Sequence, residues 1–145
     1  MTDFSMDTAA PIVTQPMTME LVGASGDAHP LQAALQYDAR DPYAAVVVFD
    51  TDRGPVRWDF GRDLLMAGVN EPSGDGDVHV RPCLDSAGRA SVVIELISND
   101  GCALVRARLH DVSRFVDRIT AVVAPGTESE HLDVDAAIAA LLGTV

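Results

Sequence analysis

Apolar and polar residues alternate with a period of two through most of the chain between residues 18 and 109. Leu31, Ala33, Leu35 and Tyr37 alternate with Gln32, Ala34 and Gln36, the pattern of a strand with one face in a core. Val56, Trp58 and Phe60 alternate with Arg57 and Asp59 in the same way. Val78 and Val80 flank His79, and Ala103, Val105, Ala107 and Leu109 set Arg106 and Arg108 on the opposite face. With Met17–Val22, the apolar Tyr43–Asp50 run and Ser91–Ile97, the pattern predicts about seven strands. Short turn sequences separate them: Asp52-Arg53-Gly54, Ser86-Ala87-Gly88 and Asn99-Asp100-Gly101. Such turns join antiparallel neighbours, because a parallel crossover needs a dozen residues or more.

The period changes to helical near the C-terminus. Val112, Phe115, Val116, Ile119, Val122 and Val123 share one helical face behind Asp111, which is placed to cap the first turn. A last helix is predicted from Val134 to Leu142, capped by Asp133 and stopped by Gly143. It is apolar nearly all round, as a helix buried against another subunit would be. A short third helix is expected over Gly61–Ala67, ended by Gly68. Strands, a brief helix, more strands and two helices predict an α+β domain with helices on one side of an antiparallel sheet. Residues 1–16 lack clear periodicity and are expected to form a flexible arm before a domain spanning 17–145.

Composition narrows the function classes. All ten basic residues are arginine and the net charge is −12, which argues against a nucleic-acid binder unless the arginines converge on one face. No stretch approaches the roughly 20 consecutive apolar residues of a membrane helix, and the N-terminus has no basic head or apolar core of a secretory signal. The expectation is a cytoplasmic protein with no direct membrane insertion. Cys83 and Cys102 form no metal-ligand pattern and are expected as buried thiols, a cross-strand disulfide being the alternative.

Candidate chemistry is sparse. Gly74-Asp-Gly-Asp77 beside His79 offers two carboxylates where a calcium loop needs more oxygen ligands, so it reads as a turn. Gly23-Ala-Ser-Gly26 lacks the lysine and helix of a phosphate loop. The four histidines are scattered, and no nucleophile elbow is present. No enzymatic activity, metal or cofactor is predicted. Trp58 is expected in the core. Tyr37 and Tyr43 flank a turn in which Pro42 holds Asp41 extended, and either ring could be a core residue or a partner anchor.

Three segments carry a family resemblance. YDARDPYAAVVVF (37–49), WDFGRDLLMAGVNEPSGDGDVHVRP (58–82) and FVDRITAVVAPGTESEHLDVDAAIAALL (115–142) are similar, in order and spacing, to motifs of the SsgA-like cell division and sporulation proteins of actinobacteria. The nearest likeness is to the SsgB-type branch. Gln36, Ile119 and Ala124 depart from the family pattern. The resemblance implies a non-enzymatic protein at the division septum that localises or stabilises the ring of the tubulin-like FtsZ. It implies a fold similar to the Whirly single-stranded nucleic-acid binders and assembly as a homotrimer. Implied partners are FtsZ, other septal proteins and SsgA-like paralogues. The expected partner surface comprises Asp41, Tyr43, Arg62, Asp63 and Glu128, polar or exposed types at family positions. The fold likeness supplies the alternative, a single-stranded nucleic-acid binder.

Overall fold

The computed structural model describes residues 11–132 and 134–143. Eight strands form one antiparallel sheet: β1 (Ile12–Val22), β2 (Ala28–Asp38), β3 (Ala44–Thr51), β4 (Gly54–Gly61), β5 (Ser73–Asp75), β6 (Val78–Leu84), β7 (Ala90–Ser98) and β8 (Gly101–Arg108). The helices are α1 (Arg62–Gly68), α2 (Leu109–Val122) and α3 (Val134–Gly143), with a 3₁₀ turn over Glu128–His131. The spatial order is β4-β3-β2-β1-β8-β7-β6-β5, so two meanders meet where the first and last strands pair.

That central seam is short. β1 pairs with β2 along its whole length, but with β8 only from Glu20 opposite Arg106 to Val22 opposite Leu104. Towards its N-terminus β1 parts from β8, and α2 takes over the free edge. Gln15 Nε2 donates to the Asp111 carbonyl at 2.7 Å, and Arg118 Nη1 donates to the Thr14 carbonyl at 3.3 Å. Pro16, which has no N–H to give a ladder, is tolerated in a strand with only one neighbour at that point.

The alternating residues form one core. Met19, Leu35, Val47, Ile94 and Val105 from the strands meet Leu65 of α1 and Phe115 and Ile119 of α2, all almost completely buried. Each such side chain contributes about 1.5–3 kcal/mol on leaving water. Trp58 packs against this core half-buried, as expected. It also lies beside Leu96 and Ala103 of the β7–β8 hairpin, although β4 is the far edge of the sheet, so the sheet curls back on itself. Gly54 closes the β3–β4 turn at φ 100°, a left-handed conformation that favours glycine.

Several boundaries differ from the sequence reading. The eighth strand is β5, whose three residues are too few to show alternation. β1 begins at Ile12, so residues 12–16 of the expected arm are paired strand, with Val13 and Gln15 buried; residues 1–10 of that arm lie outside the described residues. α2 starts at Leu109 straight off β8, which makes Asp111 its third residue and not its cap. Gly68 is the last residue of α1 and not the stop after it. The expected cap of α3, Asp133, lies outside the described residues, and Ile138, Leu141 and Leu142 are exposed in the chain as it stands. Both cysteines are exposed and free, on β6 and β8 with β7 between them. Among the described residues no helix is long and apolar enough to cross a membrane.

Candidate functional site

The corner between β2 and β3 is locked from inside. Tyr37 is the last inward-facing residue of β2, and its hydroxyl donates to the carbonyl of Pro42 at 2.8 Å. The chain turns tightly over it: Asp41 N donates to the Asp38 carbonyl, and Ala44 N to the Asp41 carbonyl. Arg62, the first residue of α1, lies under this corner with no exposed surface. Its Nη1 donates to the Tyr37 hydroxyl at 3.3 Å, and its guanidinium carbon stands 5.4 Å from the ring centroid. Its Nη2 donates to Glu128 Oε2 at 3.0 Å, forming an ion pair that is buried on both sides.

Glu128 is the first residue of the 3₁₀ turn after α2, and its Oε1 accepts from Gly126 N at 3.0 Å. Its own backbone amide and the Arg62 guanidinium hold its carboxyl below the ordinary value of 4.5. Burial pushes the Tyr37 hydroxyl above its ordinary 10.0, against the lowering influence of Arg62. A charged pair taken out of water is costly unless its hydrogen bonds are complete. Here the set is nearly so: among the described residues Arg62 Nε alone has no partner.

The five residues expected to bind a partner therefore divide. Arg62 and Glu128 are buried and pair with each other inside the fold. A burial requirement that joins positions 62 and 128 leaves no periodic trace in the sequence. Asp41, Tyr43 and Asp63 are exposed, Tyr43 by 49%. The support holds them in place, since Arg62 N donates to the Tyr43 carbonyl at 2.8 Å and joins the start of α1 to the corner. Asp63 sits in the first turn of α1, where a negative charge is favoured, without a capping hydrogen bond. Of the two rings the sequence reading left open, Tyr37 is buried and Tyr43 exposed; the buried end of an alternating strand was the signal for Tyr37.

Among the described residues no group of three metal-ligating side chains converges, and the Gly74–Asp77 segment forms the β5–β6 hairpin. Tyr43 is the only exposed aromatic side chain among them.

The family model described as "Streptomyces sporulation and cell division protein, SsgA" matches residues 31–128, which include the whole corner and both partners of the buried ion pair. The chain belongs to the SsgA family. Its relatives are proteins named sporulation-specific cell division protein SsgB. The chain is 46% identical to that of Kineococcus radiotolerans over 127 residues, covering 87% of this chain and 77% of the relative. It is 42% identical to that of Salinispora tropica and 41% to that of Streptomyces coelicolor, over 90% and 86% of this chain and 96% and 90% of theirs. Two solved SsgA-family structures superimpose on it. An SsgA-like sporulation-specific cell division protein from Thermobifida fusca does so with a TM-score of 0.82 at 34% identity, covering 91% of this chain and 96% of that one. An SsgB structure, from work linking SsgB mutations to longitudinal cell division during sporulation of Streptomyces coelicolor, gives 0.79 at 40% identity, covering 84% and 96%. The SsgA-family fold is thus a curled eight-stranded antiparallel sheet with helices, in a single domain.

Proposed function

We propose that this SsgA-family chain is a non-enzymatic adaptor of cell division that localises or stabilises the FtsZ ring at the septum. The observation that carries the reading is the corner itself: exposed Tyr43, Asp41 and Asp63 stand on a buried Tyr37–Arg62–Glu128 support. A tyrosine held on a rigid scaffold is the kind of anchor that dominates binding energy, and flanking acids give it charge selectivity. The names of the SsgB relatives support the cellular setting.

Oligomer formation belongs to the same reading. Ile138, Leu141 and Leu142 of α3 are exposed by 49%, 70% and 69%, and alanines occupy most of its remaining positions. Burial of that helix between copies, in a trimer, would present the corner several times to a polymer and turn weak single contacts into avidity.

A Whirly-like single-stranded nucleic-acid function is less well supported. Such sites combine a positive groove with stacking aromatics. The arginines here are divided, with Arg40, Arg53 and Arg57 on the β2–β4 side and Arg62 buried. The exposed ring of Tyr43 lies with the first group and beside acids.

The reading is tested by immobilising the full chain and its Tyr43→Ala and Asp63→Arg variants and measuring capture of FtsZ from the same organism. Capture by the wild type that is lost in folded variants supports the corner as the contact. Equal capture by all three would remove it.

A further inference from the structure

Where β1 and β8 part, the sheet opens into a cleft of about 420 Å³ whose walls carry both arginines (Arg89, Arg106, Arg108) and carboxylates. Arg106 and Arg108 extend from alternate positions of β8 and therefore share one face, and Arg89 joins them from the turn before β7. Two of the three are fixed by carboxylates: Arg106 by Glu20 at 3.0 Å and Arg89 by Asp85 at 3.1 Å. Arg108 is exposed, and its side chain has no hydrogen-bond or ion-pair partner among the described residues. Its backbone is extended (φ −68°, ψ 135°) at the residue where β8 becomes α2, so the root of the side chain is well placed by two elements. A second opening of about 490 Å³ continues past Arg89 and Arg108 to His110 and Ser113. Both volumes fall within the range of about 300–1,000 Å³ typical of ligand clefts.

Arg108 is thus a free guanidinium beside two anchored ones at the wall of the cleft. We propose that this cleft binds an extended peptide segment of a partner protein and that Arg108 receives an aspartate or glutamate side chain of that peptide. Arginine presents a planar fork that takes a carboxylate through two parallel hydrogen bonds. The alternative polyanion, a nucleic-acid strand, fits less well. Its phosphates would run past the carboxylates of Glu20, Asp85 and Asp111, which also line the cleft, and no Phe, Tyr or Trp ring lines it to stack on a base. A peptide carries both signs and backbone hydrogen-bonding groups, and so matches a lining of mixed charge. The site is separate from the Tyr43 corner, and the proposal stands whether or not the corner binds FtsZ.

The test is selection of random peptides displayed on phage against the immobilised full chain, with counter-selection on its Arg108→Glu variant. Arg108 is exposed and unpaired, so the variant should melt at the wild-type temperature. The expected result is a set of peptides enriched in aspartate or glutamate at one position, binding Arg108→Glu about tenfold more weakly or worse, as like charges brought together require. Changing that acid to arginine in the peptide should restore binding to the Arg108→Glu variant. Recovery of no peptide that distinguishes the two proteins would overturn the proposal. So would selected peptides without an acid, or Arg108-dependent binding of a fluorescein-labelled oligothymidine in place of peptides.

Discussion

Arg62 and Glu128, 66 positions apart in sequence, form an ion pair of 3.0 Å that is buried on both sides and tied to Tyr37. It joins the start of α1 to the turn after α2, so two elements distant in the chain are fixed to the same corner of the sheet. A buried pair is weak evidence for added stability compared with an apolar substitute, yet breaking one is severe because a charge is left alone.

Arg62→Ala is accordingly expected to destabilise the fold by about 3–5 kcal/mol. For a domain of this size that corresponds to a fall in Tm of about 10–15 °C. Urea denaturation and thermal melting check it. Arg62→Lys should not rescue the loss fully, since one ammonium cannot reproduce a fork that reaches Glu128 and Tyr37 while lying over the ring.

Tyr37→Phe removes one hydroxyl and leaves the Pro42 carbonyl and Arg62 Nη1 without their shared partner. The expected cost is about 1–3 kcal/mol. A double-mutant cycle with Arg62→Ala should give a coupling of about 0.5–3 kcal/mol, because both changes act on one network. Additive losses would mean that the two residues act independently.

Stability should fall at both ends of the pH scale, for opposite reasons. Glu128, Asp38 and Asp85 have folded pKa values below their ordinary ones: Glu128 chiefly through its own backbone amide, Asp38 through Arg40, and Asp85 through the Arg89 amide. A depressed folded pKa contributes stability that is present above the ordinary value and lost as pH falls through the folded one. The loss begins below about pH 4.5 for Glu128 and below about pH 3.8 for the two aspartates. Tyr37 is shifted upward, so its contribution is present below pH 10.0 and is lost as pH rises above it. Melting temperature measured against pH should show both shoulders, and Tyr37→Phe should shrink the alkaline one, to which Cys102, raised above its ordinary 9.0 by its hydrogen bond to Glu95, also contributes.

Gly68→Ala tests the packing of α1. In an exposed helix alanine gains about 0.5–1 kcal/mol over glycine. Here an added Cβ runs into the side chain of Val80 on β6, so overpacking costing about 1–3 kcal/mol wins and the variant should be less stable. A more stable Gly68→Ala variant would mean that α1 does not press on β6 as closely as described.

Much of this architecture was legible in the sequence because alternation reports burial directly. Leu31–Tyr37, Val56–Phe60 and Val78–Val80 all became strands with the expected face inward or against the core, save Val56, which is exposed near the start of the edge strand β4. Parity also shows why both cysteines are exposed: Cys83 follows His79 and Arg81 on the outer face of β6, and Cys102 precedes Leu104 and Arg106 on that of β8. The first five residues of β1 were missed because threonine, glutamine and proline obscure the alternation of Val13 and Gln15. The true start of α2 was missed because the helix grows from a strand without a capping side chain. For the site, exposed Tyr43, Asp41 and Asp63 were placed by family likeness. The burial of Arg62 and Glu128 depends on a long-range pairing that no local pattern encodes.

The central claim, recognition of a division polymer through the Tyr43 corner, is tested most directly by co-sedimentation of the purified full chain with FtsZ from the same organism, with and without GTP. The account predicts pelleting that requires the polymer and is lost in Tyr43→Ala protein of wild-type stability. A chain that stays in the supernatant at low and moderate salt, beside polymer that pellets normally, would contradict it.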